Sequence, residues 1–197
     1  MAMKKPISVI LKSKKTVFTF KDISLLWGMT DRKSAIAGIH YYVSTGDLYR
    51  IRRGIYAKDK DYDKVELASR IYTPAYVSFE TVLARTGMIF QYYSQIFVAS
   101  YLAREIIIDG QKYVYRKIKN TVLTDPAGVL NQDGIAIATK ERAFLDTLYI
   151  NKDYHFDHLG VLNWELVFQF LPLYGNKRMT QKVHALYNDI KSGKQNL

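Results

Sequence analysis

The chain has 197 residues, 48% of them hydrophobic, and its 29 Lys and Arg outnumber 18 Asp and Glu to give a formal net charge of +11. It contains no cysteine, which excludes a disulfide framework, a thiolate nucleophile and a cysteine-based zinc site. No run approaches the roughly 18 apolar residues of a membrane span, and the basic start lacks the continuous apolar stretch of a signal peptide, so a soluble, cytoplasmic protein without a membrane partner is expected.

The charge is concentrated at one end. Residues 1–60 hold 13 Lys or Arg and 4 Asp or Glu, a balance of +9, whereas residues 61–197 hold 16 against 14, a balance of +2. Such an asymmetry points to a polyanionic partner for the first segment. It also sets the expected domains at 1–60 and 61–197, with the charged linker Asp59 to Asp63 at the boundary.

Ile7, Val9, Ile10 and Leu11 among the lysines of 4–14 predict a short first helix with one apolar face. Ile23, Leu25, Leu26 and Trp27 predict a second over 21–28, with Thr19 as its cap, Asp22 beside its positive end and Gly28 as its terminator. A Met29-Thr30 turn follows, and Thr30 or Asp31 caps a third helix running to about Ser44. Its core contacts are expected at Ala35, Ile36, Ile39, Tyr42 and Val43, leaving Lys33, Ser34, Ala37, Gly38 and Tyr41 on the opposite face. Glycine inside an exposed helix costs about 1 kcal/mol relative to alanine, and close approach to a DNA groove would give Gly38 a reason. Gly46 to Tyr56 then reads as a basic hairpin, in which a period of two puts Arg50 and Arg52 on one face and Tyr49 and Ile51 on the other.

Helix, helix, turn, helix and basic hairpin together predict a winged helix-turn-helix on double-stranded DNA. In that geometry Arg32, Lys33 and Ser34 lie nearest base edges and phosphates. Tyr41 shares the outward face, and Arg50, Arg52 and Arg53 hold the flanking backbone. A winged helix used on a protein surface is the alternative.

Beyond the linker, 65–72 reads as a helix, and Pro74 to Glu80 is expected to open another that carries Val82, Leu83 and Ala84 and stops at Gly87. Residues 95–101 and 105–108 are strand-rich, and Asp109-Gly110 signals a hairpin into 112–118. A strand at 135–138, a helix at 141–150 and two helices within 164–193 complete the reading, an α+β chain whose winged helix precedes a mixed α/β domain. His155 and His158 sit beside Asp153 and Asp157 without a third ligand at a recognised spacing, so they read as a polar loop. Arg142 and Asp146, four apart on a helix, read as a stabilising pair rather than a catalytic one. Asp109 and Asp125 are only fragments of a nuclease centre, and neither a Gly-x-Ser-x-Gly elbow nor a phosphate-binding loop occurs, so a non-enzyme without cofactor or metal is expected.

The segment from Val43 to Ala57, above all its ending Arg53-Gly54-Ile55-Tyr56-Ala57, resembles the junction of recognition helix and wing in the AbiEi family, the antitoxin and repressor components of type IV toxin-antitoxin systems. Pro74 to Glu80, and Ala138 to Asp146 with its Glu141-Arg142-Ala143-Phe144-Leu145-Asp146, are similar to signatures of that family's second domain. The resemblance implies a repressor that binds inverted repeats at its own promoter. It also implies a second domain associated with protection against a nucleotidyltransferase-like toxin, which need not be bound directly. An orphan regulator without antitoxin activity is the alternative reading.

Overall fold

The computed structural model describes residues 6–193 and divides the chain into two compact units, one ending at Ile71 and the other starting at Tyr72. Both mix helices and sheets, so the chain is α+β. Among the described residues no helix is long and apolar enough to cross a membrane.

The first unit runs α1 (Pro6–Lys12), β1 (Val17–Thr19), α2 (Phe20–Trp27), α3 (Arg32–Ser44), β2 (Tyr49–Arg52), β3 (Ile55–Ala57) and α4 (Lys64–Ile71). Residues 4 and 5 of the expected first helix lie outside the described residues. The strands form an antiparallel sheet in the order β1-β3-β2. Strand β1 has no local signature: three residues carry too little period, and they become a strand only by pairing with β3, Phe18 opposite Tyr56.

Helix α2 begins as its sequence predicts. The Thr19 hydroxyl accepts from the Asp22 amide, the Asp22 carboxylate accepts from the Thr19 amide at 2.8 Å, and Gly28 closes the helix at φ 64°. Ile7 and Ile10 of α1, Ile23 of α2 and Ile39 of α3 bury against Phe18 and Leu48, with Trp27, Tyr42 and Tyr56 packed around them. The three helices thus meet over one face of the small sheet.

The unit boundary falls eleven residues later than the charge break, and the reason is α4. Its buried Glu66 accepts from both the amide and the hydroxyl of Thr16 at 2.8 Å, and its Arg70 reaches Asp22 at 3.0 Å and Glu66 at 3.1 Å. These bonds tie α4 to the start of β1 and to α2. Burial pushes the Asp22 carboxyl up, but the hydrogen bonds from Thr19 and the charges of Arg70 and Lys15 outweigh it and hold it below its ordinary 3.8. A carboxyl lowered in the fold adds stability that is complete above the unfolded value and lost as pH falls through the folded one. Asp22→Asn is therefore expected to flatten the acid limb of the first unit's stability below pH 4, measured as thermal midpoint against pH, while lowering the midpoint at neutral pH.

The second unit is built on a six-stranded mixed sheet in the order β6-β7-β5-β4-β9-β8. Its strands are β4 (Ala75–Val77), β5 (Ile96–Ser100), β6 (Arg104–Ile108), β7 (Gln111–Lys117), β8 (Val129–Gln132) and β9 (Ile135–Ala138). Its helices are α5 (Glu80–Arg85), α6 (Asn120–Leu123), α7 (Lys140–Ile150), α8 (Trp164–Phe170) and α9 (Lys177–Lys191), with a 3-10 turn at Leu171–Tyr174. The β6-β7 hairpin turns on Asp109 and Gly110, both at positive φ, as its dipeptide predicts.

Pro74 to Glu80 does not open a helix. Ala75, Tyr76 and Val77 form a buried strand that pairs antiparallel to β5 and parallel to β9, and only Glu80 begins the helix. The chain turns at Phe79, fully buried at φ 57° and ψ −142°. This unfavourable backbone is held because Ser78 and Glu80 on either side are both anchored: Ser78 to Asp146 at 2.8 Å, and Glu80 to Arg116 at 2.8 Å.

Candidate nucleic-acid interface

Helix α3 presents a bare outer face because its inner one is spent on Ala35 and Ile39, each 1% exposed. Lys33, Ser34, Ala37, His40, Tyr41 and Ser44 are exposed along it. Two expectations for this helix are corrected. Ile36 is 40% exposed instead of joining the core. Gly38 is half-buried, and a Cβ there would stand 3.1 Å from Cζ3 of Trp27, so its lack of a side chain is explained by packing of α2 on α3 rather than by approach to a groove.

The start of α3 is closed by Asp31 rather than Thr30. The Asp31 carboxylate accepts from the Lys33 amide at 3.3 Å and from the Ser34 amide at 2.8 Å and hydroxyl at 2.6 Å. Those bonds, the Ser34 hydroxyl's first, keep its carboxyl below 3.8. An ionised carboxylate at the positive end of the helix takes up the free amides that would otherwise attract a phosphate. Positive charge at this end must come from side chains. Arg32 lies 5.1 Å over the ring of Phe20, a cation–π contact that fixes its guanidinium against α2, while Lys33 is free to extend.

The hairpin carries three further cations, Arg50, Arg52 and Arg53. Tyr49 sits opposite Ala57 and Arg50 opposite Tyr56, but Arg52 opposes Ile55, so Ile51 is an extra residue in a β-bulge. The alternation survives in burial: Tyr49 and Ile51 are half-buried, whereas Arg50 and Arg52 are exposed. Arg53 and Gly54 make the turn, Gly54 at φ 79°, and Arg53 projects from its tip. The hairpin and α3 are neighbours, since Arg50 and Tyr56 line one small crevice with Ile39, His40 and Val43, and the Leu48 amide donates to the Tyr42 carbonyl at 3.0 Å. Among the described residues none of Arg32, Lys33, Arg50, Arg52 and Arg53 has a carboxylate within 4.0 Å.

In the second unit the charged motif that begins α7 is buried. Arg142 and Asp146 are both 0% exposed and approach to 3.4 Å. The Asp146 carboxylate accepts from the hydroxyls of Tyr174 at 2.7 Å, Ser78 at 2.8 Å and Tyr76 at 3.0 Å. The Arg142 guanidinium donates to Tyr76 and to the carbonyls of Val122 and Ala127. Burial pushes the Asp146 carboxyl upward, against the pull of Arg142 and the three hydroxyls. Burial and the neighbouring carboxylate also push the phenols of Tyr76 and Tyr174 upward, which keeps both protonated as donors. The pair does not lie on a helix surface but is buried, and it joins α7 to β4, to the 3-10 turn, to α6 and to the loop after it.

Spacing alone could not find Tyr76, Ser78 and Tyr174, which lie 70, 68 and 28 residues from Asp146. His155 and Asp157 stand 3.9 Å apart in a loop, and no group of three potential metal ligands occurs among the described residues. No family profile matches this chain, and no curated protein matches it.

Proposed function

We propose that the chain is a sequence-specific DNA-binding repressor, its first unit a winged helix-turn-helix and its second an AbiEi-like antitoxin domain. The observation that carries the reading is the shared crevice of Arg50 and His40, which sets a bare helix face beside an unpaired basic hairpin. Helix α3 enters the major groove, where Lys33, Ser34 and Tyr41 face base edges, and Arg50, Arg52 and Arg53 engage the flanking phosphates. Arg32, stacked on Phe20, supports the helix entry and meets the backbone.

With its own promoter as operator, the protein binds inverted repeats and represses its own synthesis, and the second unit supplies protection against a nucleotidyltransferase-like toxin. Order and sequence of the three resembling segments support this division of labour. It is tested by footprinting the full chain on its promoter and by co-expressing it with the gene next to its own. Two protected half-sites are expected, together with growth rescue that survives Arg50→Ala, Arg52→Ala and Arg53→Ala. Rescue that disappears with the wing arginines would place protection in repression alone; an unprotected promoter would end the repressor reading.

A further inference from the structure

The second unit is close to neutral, with 14 Lys and Arg against 11 Asp and Glu over 72–197, yet five of those cations gather in one place. Lys119 before α6, Lys152 after α7, and Lys177 and Arg178 at the head of α9 line a single open cleft of about 530 Å³. A smaller recess of about 100 Å³ adjoins it, with Leu148 and Met179 the two apolar residues of its lining. Leu148 and Met179 form its floor, Lys182 and Asp153 stand at its rim, and it shares Lys152 and Arg178 with the cleft.

Five cations from three separate segments therefore converge on one concavity. Among the described residues none of the five has a carboxylate within 4.0 Å, in contrast to Arg70, Arg116 and Arg142, each of which is paired. Asp153 offsets one charge of the five at most. Gathering like charges in this way costs stability unless an anion is bound. The first turn of α9 does not supply the pull, because Asn176 already accepts from the Met179 amide at 3.1 Å. The charged side chains are what a ligand would meet.

The cleft and its recess match a ligand with two chemistries, one polyanionic and one able to cover the apolar side chains of Leu148 and Met179. The size falls within the few hundred Å³ typical of small-molecule sites. We propose that this is a binding site for a nucleoside di- or triphosphate. Lys119, Lys152, Lys177 and Arg178 hold the phosphates, and the base lies in the recess over Leu148 and Met179. The proposal is independent of the DNA reading, since it uses no residue of the first unit.

The test is calorimetric titration of the full chain at about 150 mM salt, near the physiological value, with ATP, GTP, inorganic tripolyphosphate and a short duplex in turn. At least one nucleotide is expected to bind, and more tightly than tripolyphosphate. Lys152→Ala with Arg178→Ala should weaken it at least tenfold without lowering the thermal midpoint, since both side chains are exposed and their removal relieves like-charge repulsion. The variant lacking Arg50, Arg52 and Arg53 should bind nucleotide as the parent does, so failure here and failure of the DNA reading are told apart. Absence of nucleotide binding, equal affinity for tripolyphosphate, or an unchanged affinity in the double variant would each overturn the site. A cleft that bound the duplex, with that binding lost in Lys152→Ala with Arg178→Ala, would also overturn it.

Discussion

A chain in which Arg50, Arg52 and Arg53 are all alanine is expected to bind every duplex more weakly than the parent, with little regard to sequence. Each phosphate contact releases counterions worth a slope of about 0.9 in log affinity against log salt, so losing three should make that slope shallower by about 2.7. Charge-assisted hydrogen bonds contribute about 1.5–3 kcal/mol each, and the loss at low salt should accordingly reach two orders of magnitude or more. The fold should be unaffected, because Arg50, Arg52 and Arg53 are exposed and carry no ion pair. Lys33→Ala is expected to behave differently, relaxing the preference for operator over random sequence by the roughly 1–3 kcal/mol of a base-edge contact. Fluorescence anisotropy on operator and random duplexes across a salt series separates the two. A triple variant with the parent's slope would remove the hairpin from the interface.

The largest stability effect belongs to the second unit. Arg142→Ala leaves a carboxylate that is 0% exposed without its counter-charge, and it strips hydrogen bonds from the carbonyls of Val122 and Ala127. Breaking a buried pair from one side costs about 3–5 kcal/mol, a large part of the stability of a domain this size. Asp146→Ala should be comparably severe, since the hydroxyls of Tyr76, Ser78 and Tyr174 lose their common acceptor together. The two costs should not add, because both variants dismantle one network. Urea unfolding followed by the second unit's Trp164 gives the numbers. A loss below about 1 kcal/mol, the level of an exposed pair, would mean that the network is not sealed from water.

The buried network also accounts for polar residues within Glu141 to Asp146 and Pro74 to Glu80. Tyr76 and Ser78 from one segment and Arg142 and Asp146 from the other meet in a single hydrogen-bonded cluster. Their pattern therefore specifies an architecture, the joining of β4 to α7.

Features written within a few residues were legible from the chain alone. The Thr19 and Asp22 capping box, the Gly28 stop, the Asp109-Gly110 hairpin, the length of α3 and the exposed Arg50 and Arg52 all follow from local hydrogen-bonding chemistry, from glycine's access to positive φ or from the period of a strand. The concentration of charge before residue 60 is likewise a property of sequence. The long-range arrangement was not legible, because its partners are far apart in the chain. Glu66 and Thr16 moved the unit boundary past α4, Trp27 gave Gly38 its purpose, and long-range or hairpin pairing made strands of β1, too short to carry a period, and of β8, which lies opposite β9. The tertiary fold alone buried Arg142 with Asp146 and gathered four cations around one cleft with a fifth beside it, since burial and convergence depend on which segments meet and no local pattern encodes that.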